Sequence, residues 1–213
     1  MAPDPLVFTD DYLRVRAVPT CHTSTFVWCH SKGQRGGDWK FMVEPLRKLG
    51  HCDHIAFIFP YLDNNETNSG SGISSSEALI QKIVHQEIAN GCDPGRIAVG
   101  GYNDGLETAL KAILADSNKI GSVLGITDCL NLTDELNLLR KTANAKTPVL
   151  FVDRTGAKGN CAEKLLKAID QPVRVVDGSK LASSDTQPVT QEELERLDVF
   201  IHQTLPVEMV PKN

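Results

Sequence analysis

The sequence predicts a mostly parallel α/β sheet covered by helices on both faces, and three observations carry that prediction. Apolar-rich runs recur at residues 25–29, 54–59, 96–99, 122–126, 148–152 and 173–176; the first three read as buried strands and the others as strands. Between them lie segments with apolar residues at helical spacing, such as Leu79, Ile80, Ile83, Val84 and Ile88. Turn chemistry (Pro60, Asn90-Gly91, Asp93-Pro94-Gly95) separates the two kinds of segment. Strands alternating with helices imply parallel pairing through crossover connections. The chain has 213 residues and no repeat, linker or low-complexity tract, so residues 1–213 are expected to form a single domain.

Taken in order, residues 13–18 alternate apolar and polar, a half-exposed strand expected at a sheet edge. Residues 25–29 form a buried strand, followed by a loop, 30–39, with three glycines. A loop of that kind can turn a backbone N–H toward a ligand, as an oxyanion hole requires, or can be a plain surface turn. Trp39, Phe41, Met42, Val43 and Leu46 suggest a helix, which Pro45 allows only if the helix starts close to it. After the strand 54–59, residues 63–76 are small and polar and read as a mobile surface loop.

Ser74 and Glu77 form a capping-box pattern that opens the next helix, and Asn90-Gly91 closes it. A strand at 96–99 leads into Gly100-Gly101-Tyr102-Asn103-Asp104-Gly105, after which Leu106, Ala109, Leu110, Ile113 and Leu114 set a helix. Strands at 122–126 and 148–152 bracket a polar segment, 131–146, with a weakly helical set of leucines. A helix at 162–169, a strand at 173–176 and a C-terminal helix capped by Thr190 and Glu193 complete the chain.

Composition excludes several classes of function. The net charge of −5 offers no basic footprint for nucleic acid, and no apolar run approaches the ~20 residues that span a bilayer. The first residues, Met1-Ala2-Pro3-Asp4-Pro5, have neither the basic nor the apolar region of a signal peptide. Six cysteines without Cys-x-x-Cys spacing read as free thiols, Cys29 among them as a core residue, and a cytoplasmic location is expected. No His/Cys/Asp/Glu set has metal-ligand spacing, and no phosphate-binding loop is present, so neither metal nor cofactor is expected.

The stretch that carries chemistry is the strand–turn–helix around Asn103. Glycine at 101 and 105 flanks a central residue, as in the Gly-x-Ser-x-Gly nucleophile elbow, where small residues relieve a crowded turn. Here the centre is asparagine, whose carboxamide is a very poor nucleophile.

Nearly the whole chain resembles the acyl-protein thioesterase and small carboxylesterase-phospholipase family of α/β hydrolases. His30, Gly33, Gly36 and Trp39 fall where that family has them, as do Gln86-Glu87, Asn90-Gly91, Arg96-Ile97, Gly100-Gly101 and Leu205-Pro206. The resemblance implies an α/β-hydrolase fold. It also implies a catalytic serine at Asn103, an aspartate near Ala157 and a histidine within residues 177–181. None of these is present: Asp153 comes too early, and no histidine lies between residues 86 and 201. The family's His-Gly is His30-Ser31, its Gly-Asp is Gly33-Gln34, and its tryptophan-containing substrate loop is missing between Pro60 and the capped helix.

Candidate site residues are therefore Tyr102, Asn103, Asp104, His30, Ser31 and Lys32. Asn103 either tolerates positive φ or binds a ligand through its amide. The Asp104 N–H could join one from Ser31 or Lys32 in an oxyanion hole, while its carboxylate suits a helix N-terminus. His30 is a candidate acid/base group whose family counterpart has a structural place. Ser31 lacks a visible base, and Lys32 with Arg35 could attract an anion. Without a positioned triad the acyl-enzyme route has no path. The expected function is a pseudoenzyme holding a small-molecule ligand or a protein partner in the former acyl pocket. Two alternatives stay open: a repurposed enzyme for proton transfer, elimination or cyclisation, and a residual esterase or thioesterase with a rebuilt site.

Overall fold

A computed structural model describes residues 6–18, 22–63, 73–128, 143–155, 172–179 and 188–207. Among them β1 (Leu6–Phe8), β2 (Tyr12–Val15), β3 (Ser24–Cys29), β4 (Ile55–Pro60), β5 (Ile97–Tyr102), β6 (Ser122–Thr127), β7 (Val149–Asp153) and β8 (Val173–Asp177) form one sheet. Its order is β1-β2-β4-β3-β5-β6-β7-β8. From β4 to β8 all neighbours are parallel, whereas β1 and β2 pair antiparallel at one side.

The continuous apolar runs have a simple cause: the central strands are covered twice. Successive residues of β3 point to opposite faces. Phe26 and Trp28 join a core with Trp39, Met42, Leu46, Phe57, Leu194, Leu197 and Ile201, beneath α1 (Val43–Lys48) and α4 (Gln191–Thr204). Val27 and Cys29 join the other core with Ile58, Ile80, Val84, Val99, Leu110 and Ile113, beneath α2 (Ser75–Ala89) and α3 (Asp104–Leu114). The architecture is the α/β-hydrolase fold. No helix among the described residues is long and apolar enough to cross a membrane.

Both predicted capping boxes form. Ser74 Oγ accepts from the Glu77 N–H at 3.2 Å while a Glu77 carboxylate oxygen accepts from the Ser74 N–H at 3.3 Å, and Thr190 and Glu193 repeat the arrangement on α4. Gly91 takes a φ of 98° at the end of α2, the left-handed stop that Asn90-Gly91 predicts. Arg96 reaches across the sheet end to Thr23 O, Ser24 Oγ and Pro206 O at 2.8, 2.7 and 2.7 Å.

Three expectations need correction. The strand predicted at 13–18 is not the edge, because Leu6–Phe8 pairs outside it with Leu6 opposite Val15. Three residues are too few to show a period of two. The helix around Trp39 starts only at Val43; Gly36–Met42 is a 3₁₀ segment, which leaves Pro45 in the first turn of α1, where its missing N–H costs nothing. The strand read at 96–99 continues through Gly100, Gly101 and Tyr102. A Cβ at Gly100 would lie 2.0 Å from Leu124 O, so glycine there serves close strand approach rather than a turn. The loop segment 64–72, the leucines at 132–139 and the helix expected at 162–169 lie outside the described residues, as does Ala157.

The order of the strands locates the site. From β3 the chain moves outward to β4, then returns to place β5 on the other side of β3. Ligands of open parallel sheets bind beyond the carboxyl ends of the strands at such a reversal. The loop 30–35 and the turn at Asn103 meet there.

Candidate functional site

Asn103 is the single residue between β5 and α3, with φ 48° and ψ −117°. It is the only described non-glycine residue with positive φ, a conformation that stores of order 1–3 kcal/mol. Its N–H donates to Ile126 O at 3.0 Å, and its carbonyl accepts from the Leu106 N–H at 2.9 Å, so β6 and α3 hold the turn from both sides. A Cβ at Gly105 would meet Cys29 O at 2.3 Å, and one at Gly101 would meet Gly105 C at 2.6 Å. The flanking glycines are therefore a packing requirement of a sharp strand–helix turn.

The Asn103 carboxamide is bound at both ends. Its Oδ1 accepts from the Asp128 N–H at 2.7 Å, and its Nδ2 donates to Asp128 Oδ2 at 3.0 Å. The Tyr102 hydroxyl donates to the same oxygen at 3.2 Å and accepts from Arg154 at 2.9 Å. Arg154, at the carboxyl end of β7, makes a two-pronged pair with buried Glu193 at 2.6 and 2.7 Å and donates to Pro188 O. Its guanidinium also lies 5.3 Å from the Tyr102 ring centre, a cation–π distance. Burial pushes the Tyr102 phenol above its ordinary pKa, so the hydroxyl stays protonated. The network runs from the elbow through β6 and β7 to the N-terminus of α4.

On the other side of the turn, His30 is buried and both ring nitrogens are used. Nε2 accepts from the Leu62 N–H at 3.3 Å, which leaves Nδ1 to donate to Ser31 O at 2.9 Å. Burial lowers the His30 pKa, favouring this neutral form. The Ser31 N–H donates to Gln34 Oε1 at 3.1 Å, an oxygen that also accepts from Trp39 Nε1. An oxyanion hole built on the Ser31 N–H would first have to displace Gln34. Ser31 Oγ donates to Asp104 Oδ2 at 3.1 Å. Lys32 is exposed at the rim of a cleft of about 70 Å³ lined also by His30, Asp63, Ser74, Glu77 and Asp104.

The structure thus brings Asn103, Tyr102 and Asp104 together with His30 and Ser31, but as two separate polar groups. Tyr102 and Asn103 face Asp128 and Arg154; Asp104 faces Ser31. Sequence reasoning missed Asp128 and Arg154 and saw Glu193 only as a helix cap. Their signal was positional: Asp128 and Arg154 directly follow β6 and β7, the strands next to β5 at the carboxyl ends of a parallel sheet. Asp153, the nearest carboxylate to the expected acid, turns back to the Thr155 N–H and hydroxyl at 2.9 and 2.7 Å. Among the described residues no group of three His, Cys, Asp or Glu side chains could hold a metal ion.

Residues 61–152 match the model of the phospholipase/carboxylesterase family. Acyl-protein thioesterase 1 of Gibberella zeae is 26% identical over 229 aligned positions, covering 90% of this chain and 93% of that protein. Its namesake in Yarrowia lipolytica is 24% identical over 157 positions, covering 63% and 69%. Among solved structures, esterase PE8 superposes with a TM-score of 0.70 at 16% identity, covering 95% of this chain and all of the other. Arabidopsis thaliana SOBER1 gives 0.66 at 17% identity, covering 85% and 99%. A strand–Asn103–helix elbow at the strand reversal, the glycines packed beneath it and these matches converge: over residues 61–152 the chain is similar to the phospholipase/carboxylesterase family, and over most of its length to acyl-protein thioesterase 1 of Gibberella zeae.

Proposed function

We propose that this chain is a hydrolase-fold binding protein, a pseudoenzyme without the serine acyl-enzyme route, whose site takes a small polar ligand or the side-chain tip of a protein partner. One observation carries the reading: the residue at the elbow is an asparagine whose two polar ends are both occupied by Asp128. The polar walls and small volume of the cleft beside Asp104 support it, since they suit a polar group rather than an acyl chain. Proton transfer through His30 is disfavoured because both ring nitrogens already have partners. The free thiols at Cys29, Cys52 and Cys92 agree with a cytoplasmic site of action.

A second reading, hydrolysis from a rebuilt site, is favoured by the Ser31–Asp104 hydrogen bond beside the cleft and by the names of the relatives. The test is turnover of short and medium activated acyl esters and thioesters, alongside labelling by a serine-directed phosphonate. The binding reading expects neither. Turnover that disappears in Ser31→Ala and Asp104→Asn would establish the rebuilt site instead.

A further inference from the structure

We infer that Asn103 is a self-modifying residue, converting through a cyclic imide with the backbone nitrogen of Asp104 to aspartate and isoaspartate. Ring closure requires the following nitrogen to eclipse Cβ about the Cα–C bond. Tetrahedral geometry places Cβ of an L residue so that this occurs near a ψ of about −120°. Helices and strands hold ψ near about −42° and +135°, which is why folded chains ordinarily protect asparagine. Asn103 has ψ −117°. The elbow therefore supplies the reactive torsion at no further cost.

Groups on two neighbours, Asp104 and Asp128, favour the same step. Asp104 opens α3, so its N–H is among those with no intrahelical acceptor, and the positive end of the helix favours loss of its proton. The Asp128 N–H on Asn103 Oδ1 draws electron density from Cγ, and the Asp128 carboxylate beside Nδ2 stabilises that nitrogen as it takes up a proton and leaves as ammonia. Asn103 is only half-buried, so water reaches it.

The step balances as follows. The Asp104 nitrogen gives its proton to solvent base and bonds to Asn103 Cγ. The Cγ–Nδ2 bond then breaks and ammonia departs with a proton from water. Water next opens the five-membered imide at either carbonyl, leaving a carboxylate on the side chain (aspartate) or on the former main chain (isoaspartate). The aspartate product sets a carboxylate beside that of Asp128, and the two like charges repel.

The chain carries its own reference. Asn90-Gly91 is the intrinsically faster pair, since glycine offers no side chain against attack, but Asn90 is held at ψ 1°. Native protein and the same protein unfolded in urea are incubated in mildly alkaline buffer, proteolysed and mapped by mass and by isoaspartate content. The expected result is an inversion: Asn90 modified first in urea, and Asn103 modified first in the native fold, with both isomers formed and the signal absent in Asn103→Gln. Asn90 ahead in both states overturns the inference. Aspartate without isoaspartate at position 103 also overturns it, because direct attack by water would then be the route.

Discussion

At Asn103 the strained backbone and the bound carboxamide have separable energies. Alanine there removes both bonds to Asp128 and keeps a Cβ at positive φ, so it is expected to cost about 2–3 kcal/mol in urea unfolding. Glycine removes the same bonds but relaxes the backbone, and should cost only about 1 kcal/mol. Equal losses would mean that the turn carries no strain. Asn103→Ser restores a hydroxyl without any imidazole, and ester turnover is expected to stay at background. Hydrolysis by that variant would reveal a base among the groups around the elbow. At His30 the sign of a pH effect is set by burial. The folded state resists protonation more than the unfolded chain, so the unfolded state binds more protons and stability falls as pH drops through the ordinary imidazole value of 6.5. His22, also lowered mainly by burial, adds to the same trend. Melting temperature against pH should slope less below neutrality in His30→Gln than in the parent; unchanged slopes would exclude His30 as a source.

Among the elements, α4 has the more consequential N-terminus. Glu193 closes a capping box and also receives both prongs of Arg154, whereas Glu77 on α2 serves its own box. Ser74→Ala should cost about 1 kcal/mol. Glu193→Ala, which strands a nearly buried guanidinium, should cost roughly 3–5 kcal/mol, and replacing both partners in Arg154→Met with Glu193→Leu should recover part of that loss. A Glu193 variant no worse than the Ser74 variant would show that the Arg154 pair contributes nothing net. Both caps were readable in the sequence because a capping box is local, spanning four residues. The Arg154–Glu193 pair was not, since 39 positions separate its partners and only sheet order makes β7 and α4 neighbours. The edge strand β1 escaped for a different reason: its register comes from β2, with no periodicity of its own.

Over the whole molecule, Trp28 and Trp39 sit in one aromatic cluster 5.5 Å apart, continuous with the core beneath α1 and α4. If residues 1–213 form one domain, tryptophan fluorescence and far-ultraviolet circular dichroism should follow one coincident transition in urea; two separated transitions would divide the chain. The fold class, most strands, both capping boxes and the elbow with asparagine at its centre were determined by the sequence alone, because each rests on residues close in the chain. Only the tertiary structure decided what surrounds Asn103. Successive parallel pairing of β5, β6 and β7 brings their carboxyl ends together, and the reversal of strand order between β3 and β5 sets the loop after β3 beside them. Asp128 thereby occupies the elbow's side chain, with Arg154 and Glu193 behind Tyr102, from positions that no local pattern connects.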